Sequence, residues 1–335
     1  MNIIIPMAGR GTRMRPHTLT TPKPLLPIAG KPIVQRLIEQ LIAASNEKIE
    51  NVGFIIAKDF GEKVEEMLLK LAKKKGIKGH IFYQESPQGI AHALHTAKEL
   101  FTGKLIIGLA DTLFVFKEQL QLNDDGVLFV QQVEDPTSFG VVSLDDEGII
   151  TGLIEKPKDF VSNLAIIGIY YFKDSPALLA EIEHLLENDI RTKGEFQLTD
   201  AIESLRNKGA KLKTQAVAEW LDCGNKDVTI HTNQRILEHT TDKNIIEGSF
   251  ENKNSIIIPP CYIGKNVVLE NTIIGPYVSI GEDSKVKNSI LSNSIIQSNT
   301  TVENKILENS MLGNFVTVKG RAERMSIGDY SFNEK

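Results

Sequence analysis

Two cysteines, Cys223 and Cys261, are all that the 335-residue chain contains. They stand far apart and outside any metal-ligand spacing, which excludes a disulfide-stapled fold and a cysteine-held metal and reads as two reduced thiols in a reducing compartment. No apolar run approaches the roughly 20 residues that span a bilayer. Asn2 to Pro6 is too short for a signal-peptide core and has no basic segment before it, so the expected setting is the cytoplasm, with no membrane partner. All seven histidines lie at or before His239, so the chain beyond that point has no imidazole base. Acidic residues are missing from the start: none occurs from Met1 to Ile38, and Glu39 is the first. Arg10, Arg13, Arg15, Lys23, Lys31 and Arg36 all fall within that stretch, although the whole chain carries a formal net charge of −5. A local cationic excess on a net-negative protein points to a small anionic ligand and away from a nucleic-acid surface.

The chain is longer than one core usually supports, so two domains are expected, with 41% apolar and 24% charged residues typical of a globular protein. Through about residue 240, short β-branched runs alternate with helical spacing. "NIII", "VGFIIA", "HIFYQ" and "KLIIGLAD" read as strands. Between them, Val34, Leu37, Ile38 and Leu41, then Val64, Met67, Leu68 and Leu71, then Ile90, Ala93, Leu94 and Ala97 repeat as helix faces. Apolar strands alternating with helices predict an α/β, Rossmann-like, mostly parallel sheet covered on both faces. Its ligands are expected beyond the carboxyl ends of the strands.

From about residue 250 the period changes. Ile263, Leu269, Ile274, Ile280, Val286, Leu291, Ile296, Val302, Leu307, Leu312 and Val318 recur every five or six residues, with turn-forming residues between them. That period belongs to neither a helix nor a two-residue alternation, and predicts a left-handed parallel β-helix of hexapeptide repeats, three short strands per coil. The expected domains are 1–240 and 250–320, followed by a polar tail over 321–335 that caps the last coil or stays mobile. The flat faces of the repeats suit packing against the first domain or another subunit, and a homo-oligomer is expected.

Gly9-Arg10-Gly11-Thr12-Arg13 follows the first strand, as a phosphate-cradling loop would: glycines let the backbone approach oxygens and expose N–H groups to them. A dinucleotide fingerprint is excluded by Met14 where a third glycine belongs, and a Walker A loop by the missing Gly-Lys-Ser/Thr. Lys23 then sits between Pro22 and Pro24, whose rings stiffen the backbone and hold the lysine in one place.

With "GRGTRMRPHT" and "PKP" the chain resembles the sugar-1-phosphate nucleotidyltransferases, whose longer members also carry a β-helix. The resemblance runs through the first 240 residues. It implies attack by a sugar 1-phosphate oxygen on the α-phosphorus of a nucleoside triphosphate, with pyrophosphate leaving. Arg13 matches the arginine on the β- and γ-phosphates, and Lys23 the lysine near the reacting phosphates. Gly9, Gly11 and Thr12 would line the nucleotide, and Gln84 and Gly89 would meet a uracil or thymine edge, a side-chain amide supplying both donor and acceptor. Asp111, ending "LAD", and Asp222, in "EWLDCGN", match the metal-binding pair, suited with phosphate oxygens to Mg²⁺. For the sugar phosphate the resemblance implies Gly140, Glu155, Lys156 and Tyr170, with Lys193 and Glu195 as secondary candidates. One departure is Thr112, where the thymidylyltransferases often have asparagine. The expected product is a dTDP- or UDP-hexose, from glucose 1-phosphate. A bifunctional uridylyltransferase/acetyltransferase acting on amino-sugar phosphates and a non-catalytic nucleotide-sugar-binding subunit are the alternatives.

Overall fold

A computed structural model describes residues 1–116, 118–242, 244–321 and 330. The chain divides into two compact units, one of Met1–Pro27 with Lys31–Thr229, the other of Ile28–Gly30 with the residues from Ile230 on. The expected tail, apart from Arg321 and Tyr330, lies outside the described residues.

The first unit is built on a nine-stranded sheet. Asn2–Pro6 lies between Leu105–Gly108 and Asn51–Ile56, with Lys78–Tyr83 beyond, and all of these pair in parallel. Helices Ile33–Ala44, Glu62–Lys74 and Ile90–Thr96 separate these strands in the chain, because a parallel return needs a crossover. Leu164–Phe172 runs antiparallel to Leu105–Gly108 and starts a second half, where Gly140–Leu144 and Ile150–Glu155 pair as an antiparallel hairpin. Its turn is closed by Asp145, whose carboxylate accepts from the backbone N–H groups of Glu147 and Ile149, so no crossover is required there. The parallel reading therefore holds for the strands up to Gly108 and for Leu212–Ala216 beside Gly126–Gln132, and the sheet as a whole is mixed.

Successive strand residues face opposite layers. Ile107 joins Leu94, Leu178 and Ile202 in the core on one side, while Gly108 faces Leu37 and Leu41 on the other. Both central parallel strands thus end at the same edge, where Pro6 runs into the glycine loop and Gly108 into Leu109-Ala110-Asp111. A separate two-stranded ribbon, Thr112–Val115 with Glu219–Asp222, sets Asp222 opposite Thr112.

In the second unit, three parallel sheets stack coil on coil and fit a left-handed β-helix. Glu251, Val268, Lys285, Thr301 and Thr317 stand above one another, so each coil takes 16 or 17 residues. Of the eleven repeat positions read from the sequence, all but Val318 belong to the common apolar core. The corners turn through the left-handed region, at Asn254 (φ 54°), Asn271 (φ 52°), Asn288 (φ 46°) and Asn304 (φ 55°) along one edge. Asparagine tolerates that region better than other residues with a Cβ. The stacking adds a second reason for it: Asn254 donates to Asn271 (2.9 Å), Asn271 to Asn288 (3.3 Å) and Asn288 to Asn304 (3.1 Å).

One face of the prism is covered within the unit. Asn233, from the helix Lys226–Glu238, accepts through its side-chain oxygen from Ser279 Oγ (2.7 Å) and from the backbone N–H of Ala29 (2.9 Å). Asn288→Ala should destabilise the protein by about 1–3 kcal/mol, through left-handed strain and two broken amide contacts. Asn288→Gly should cost less, because it loses the contacts but not the backbone fit. Denaturant titration of both variants checks this, and equal losses would remove strain as the cause.

Candidate active site

The loop after the first strand is held by short-range chemistry. Gly11 has φ 57°, and a Cβ there would lie 2.9 Å from Lys23 Cβ, so the tight approach of the two segments requires a glycine. Thr18 Oγ1 donates to Gly11 O (2.7 Å), and Met14 is fully buried beneath the loop. Thr12 and Arg13 are left exposed at the cleft, and the Arg13 guanidinium makes no hydrogen bond among the described residues.

Lys23 is buried, and its Nζ donates to Asp111 Oδ2 at 2.7 Å. Asp222 reaches the same place from the ribbon, where the Cys223 N–H donates to Asp111 O at 2.9 Å. Burial pushes the Asp222 carboxyl above its ordinary value, the negative charge of Asp111 pushes it further, and Lys23, the Gly224 N–H and Arg13 oppose the shift. Two carboxylates that repel each other at a strand edge suit a hard divalent cation that completes its shell with phosphate oxygens and water. No group of three or more acidic, histidine or cysteine side chains able to hold a metal occurs among the described residues.

Two chambers meet here. The first, about 390 Å³, is lined by Gly9, Gly11, Thr12, Arg13, Lys23, Gln84, Gly89 and Asp111. The second, about 420 Å³, is lined by Gly140, Glu155, Tyr170, Asp222 and, again, Arg13 and Asp111. In the first, Gly89 (φ 112°) starts the helix Ile90–Thr96 with its Cα against Phe196; a Cβ would lie 2.4 Å from Phe196 O. Gln84 Nε2 donates to Gly89 O (3.1 Å) and lies 3.2 Å from His92 Nδ1. Burial lowers the His92 pKa, helped by His95 and Arg191, which favours the neutral ring that can accept that bond. His92 thus supports Gln84, a role its helical position alone did not indicate.

In the second chamber Glu155 is partly buried, with Thr199 Oγ1 3.5 Å from its Oε2. Lys156 and Lys193 are absent from the lining. Lys193 Nζ donates to the carbonyls of Glu155 (3.3 Å) and Lys156 (2.8 Å), and half-exposed Lys156 Nζ lies 3.8 Å from Glu155 Oε1. Tyr170 is buried in the wall, its phenol pushed strongly upward by burial and so held neutral. Thr112 donates to Ile167 O (2.7 Å), so its hydroxyl is committed to the backbone. Glu195 lines the first chamber, not the second.

Sequence reading passed over Thr199, Asn225 and Trp220, all of which line the second chamber. Trp220 stands edge-on to Phe139 (4.8 Å between centroids), and its buried Nε1 has no partner among the described residues. As the only tryptophan of the chain, two positions before Asp222, it carried a signal: a buried indole N–H wants an acceptor.

Burial raises the Glu155 carboxyl, outweighing the opposing pull of Lys156, Lys193 and Thr199. A raised folded-state value leaves stability intact below the ordinary carboxylate pKa and removes it as pH rises through the folded-state value. Glu155→Gln should therefore melt above the parent at neutral pH, the gap closing as pH falls toward the ordinary range. Thermal melts across pH check this; a gap that persists in acid would assign the effect to packing.

The family model described as Nucleotidyl transferase matches residues 2–239. The chain is 32% identical over 321 residues to the low-salt glycan biosynthesis nucleotidyltransferase Agl11 of Haloferax volcanii, covering 88% of this chain and 87% of that protein. It is 29% identical over 321 residues to the glucose-1-phosphate thymidylyltransferase of Streptomyces griseus, with 88% and 87% covered. A third relative, the bifunctional protein GlmU of Methanocaldococcus jannaschii, is 32% identical over 323 residues, with 87% and 73% covered. In fold the chain is similar to a UDP-glucose pyrophosphorylase solved with UDP-glucose, at a TM-score of 0.60 and 23% identity over 71% of this chain and 99% of that one. Loop, paired chambers and relatives lead to one conclusion: the chain belongs to the nucleotidyl transferase family and is a sugar-1-phosphate nucleotidyltransferase.

Proposed function

We propose that the enzyme transfers the nucleotidyl group of dTTP or UTP to a hexose 1-phosphate, glucose 1-phosphate above all, giving a nucleoside diphosphate sugar and pyrophosphate. The observation that carries this reading is the junction of the two chambers at Arg13 and Asp111. One chamber suits a nucleotide and the other a polyhydroxylated ring, and their shared wall is where two phosphates would meet. The Streptomyces griseus relative is named for glucose 1-phosphate and thymidylyl transfer, which supports the choice of substrates.

In the reaction an oxygen of the sugar phosphate attacks the α-phosphorus, a new P–O bond forms, and the bond to the β-phosphate oxygen breaks. Positioning and charge stabilisation carry such a step. Arg13, with its planar fork of donors, suits the β- and γ-phosphates and the charge that grows on leaving pyrophosphate. Lys23 is held by Asp111 and brings a desolvated ammonium to the reacting phosphate, with no proton to exchange. Asp111 and Asp222 would hold Mg²⁺, which when bound supplies Lewis-acid charge at the phosphates. Glu155 and the Trp220 N–H suit sugar hydroxyls as acceptor and donor. Lys156 and Lys193, at the rim, can reach the sugar phosphate only by leaving their present carbonyl and carboxylate partners.

Base choice follows from Gln84. Its amide N–H groups face Gly89 O and His92 Nδ1, so Oε1 is the atom left for the base. An acceptor suits the imide N–H of uracil and thymine and opposes the bare ring nitrogen of cytosine. Pyrophosphate release should therefore be at least about 100-fold faster with UTP or dTTP than with CTP, the penalty for leaving two acceptors face to face. A matrix of nucleoside triphosphates against sugar 1-phosphates tests this, and comparable rates with CTP would overturn the reading. The metal pair is tested separately. Asp111→Asn should lower turnover by about 10²-fold or more, as loss of a transition-state charge stabiliser does, and EDTA should stop the parent enzyme. Full activity in excess EDTA would remove the metal from the site.

The β-helix is assigned an architectural role. No histidine follows His239, and acetyl transfer usually relies on a positioned general base of that kind.

A further inference from the structure

A side-chain amide has two ends of nearly equal size, one a donor and one an acceptor, and half a turn about its last torsion exchanges them. The main chain of Gln84 takes no part in that choice. Its N–H donates to Ile56 O (2.9 Å), so only the amide itself is left to turn. Two neighbours face one end of it. Gly89 O, which also accepts from the Ala93 N–H (3.1 Å) at the start of the helix Ile90–Thr96, lies 3.1 Å from Gln84 Nε2. A carbonyl can only accept, so the amide nitrogen belongs at that end. His92 Nδ1 lies 3.2 Å from the same nitrogen and, facing a donor, must accept. The proton of the neutral ring then sits on Nε2. Unlike the carbonyl, the imidazole can change its part: a proton on Nδ1 opposes Gln84 Nε2 and attracts Oε1.

On the reading that Gln84 Oε1 meets the base, we propose that His92 is a positioning residue for pyrimidine choice, its unprotonated Nδ1 keeping the amide nitrogen turned away from the chamber. With the ring neutral, both neighbours oppose a half-turn, because Oε1 would face two acceptors. With the ring protonated, the two disagree. Gly89 O still holds the nitrogen, while Nδ1–H draws the oxygen. A turned amide presents N–H to the base, which suits the bare ring nitrogen of cytosine and opposes the imide N–H of uracil and thymine. The surroundings favour the neutral ring. Burial lowers the His92 pKa, and the charges of His95 and Arg191 lower it further. Arg191 is held by Asp189 (2.6 Å), by Gln88 Oε1 (3.1 Å) and over the Phe196 ring (4.0 Å). From the helix Ser175–Glu187, Glu183 faces His95 Nε2 at 3.5 Å, and Glu195 lines the chamber beside Gln84. The strands Asn2–Pro6 and Asn51–Ile56 and the helix Leu198–Asn207 pack on this helix through the apolar Ile4, Ile55 and Ile202.

The test is the ratio of kcat/KM for UTP to that for CTP, read by pyrophosphate release with glucose 1-phosphate, in the parent and two variants. A ratio cancels whatever pH or packing does to every nucleotide alike. At neutral pH His92→Leu, which fills similar space without an acceptor, should lower the ratio about tenfold, as loss of one of two buried polar partners does. His92→Asn should keep it, because Oδ1 can stand near the place of Nδ1 and does not titrate. Across about pH 5–8 the parent ratio should fall in step with protonation of His92, followed by NMR as the histidine resonance that His92→Asn lacks. In His92→Asn the ratio should stay level, and the ratio of UTP to dTTP, which share the imide, should stay level in all three proteins. Rates that fall together for every nucleotide in His92→Leu would make His92 a packing residue and overturn the proposal. Loss of the ratio in His92→Asn, or a parent ratio that does not follow the ring, would overturn it too, and each leaves Gln84 as the reader of the base. A parent that does not prefer UTP to CTP would overturn both readings.

Discussion

The Lys23 ammonium, 2.7 Å from Asp111 and shut away from solvent, is the contact on which the rest of the site depends. It ties the loop after the first strand to the end of a strand almost ninety residues later, across the edge where both parallel strands stop. A buried ammonium without its carboxylate would be costly, so the pair holds the loop against the strand end. Gly11 can approach Lys23 because it has no Cβ, and Arg13 is thereby presented at the junction of the two chambers. The ion pair also divides the two aspartates. Asp111 is paired with Lys23, while burial and the charge of Asp111 raise the Asp222 carboxyl.

That division illustrates the tension between stability and chemistry. Asp222 and Glu155 both have carboxyls raised chiefly by burial, so each is less comfortable charged in the folded chain than in water. Trp220 Nε1 is similarly left without an acceptor among the described residues. Groups disfavoured by burial cluster at functional sites. The surrounding core of Ile107, Leu128 and Phe172 is fully buried and supplies the rigidity against which these groups are held.

The β-helix follows another logic, with one local rule repeated. Most strands of the coils place an aliphatic inward and most turns hold a left-handed residue, and the stacked asparagines tie one coil to the next. Because every coil contacts only its neighbours, stability accumulates along the stack while the outward positions remain free to diverge. That freedom is why one face can be charged and another apolar over the same core.

Much of this was legible in the order of residues. The inward isoleucines and leucines at five- or six-residue steps define the coils, since no other regular structure has that period. The alternation of apolar strands and helix faces up to Asp111 defines the parallel half of the sheet, and Gly9-Arg10-Gly11-Thr12-Arg13 with Pro22-Lys23-Pro24 marks one wall of the first chamber. What sequence could not supply is anything that depends on distant segments meeting. The antiparallel half of the sheet, the ribbon that brings Asp222 to Asp111, the support His92 gives Gln84, and the Trp220 wall all arise from long-range pairing. Apart from the lone tryptophan and the aspartate pair that the resemblance supplied, the residues gave no sign of this in isolation, for a single strand carries a period but no address. Local periodicity is set by the geometry of one element, whereas a site is set by which elements pack side by side, and only the tertiary structure decides that.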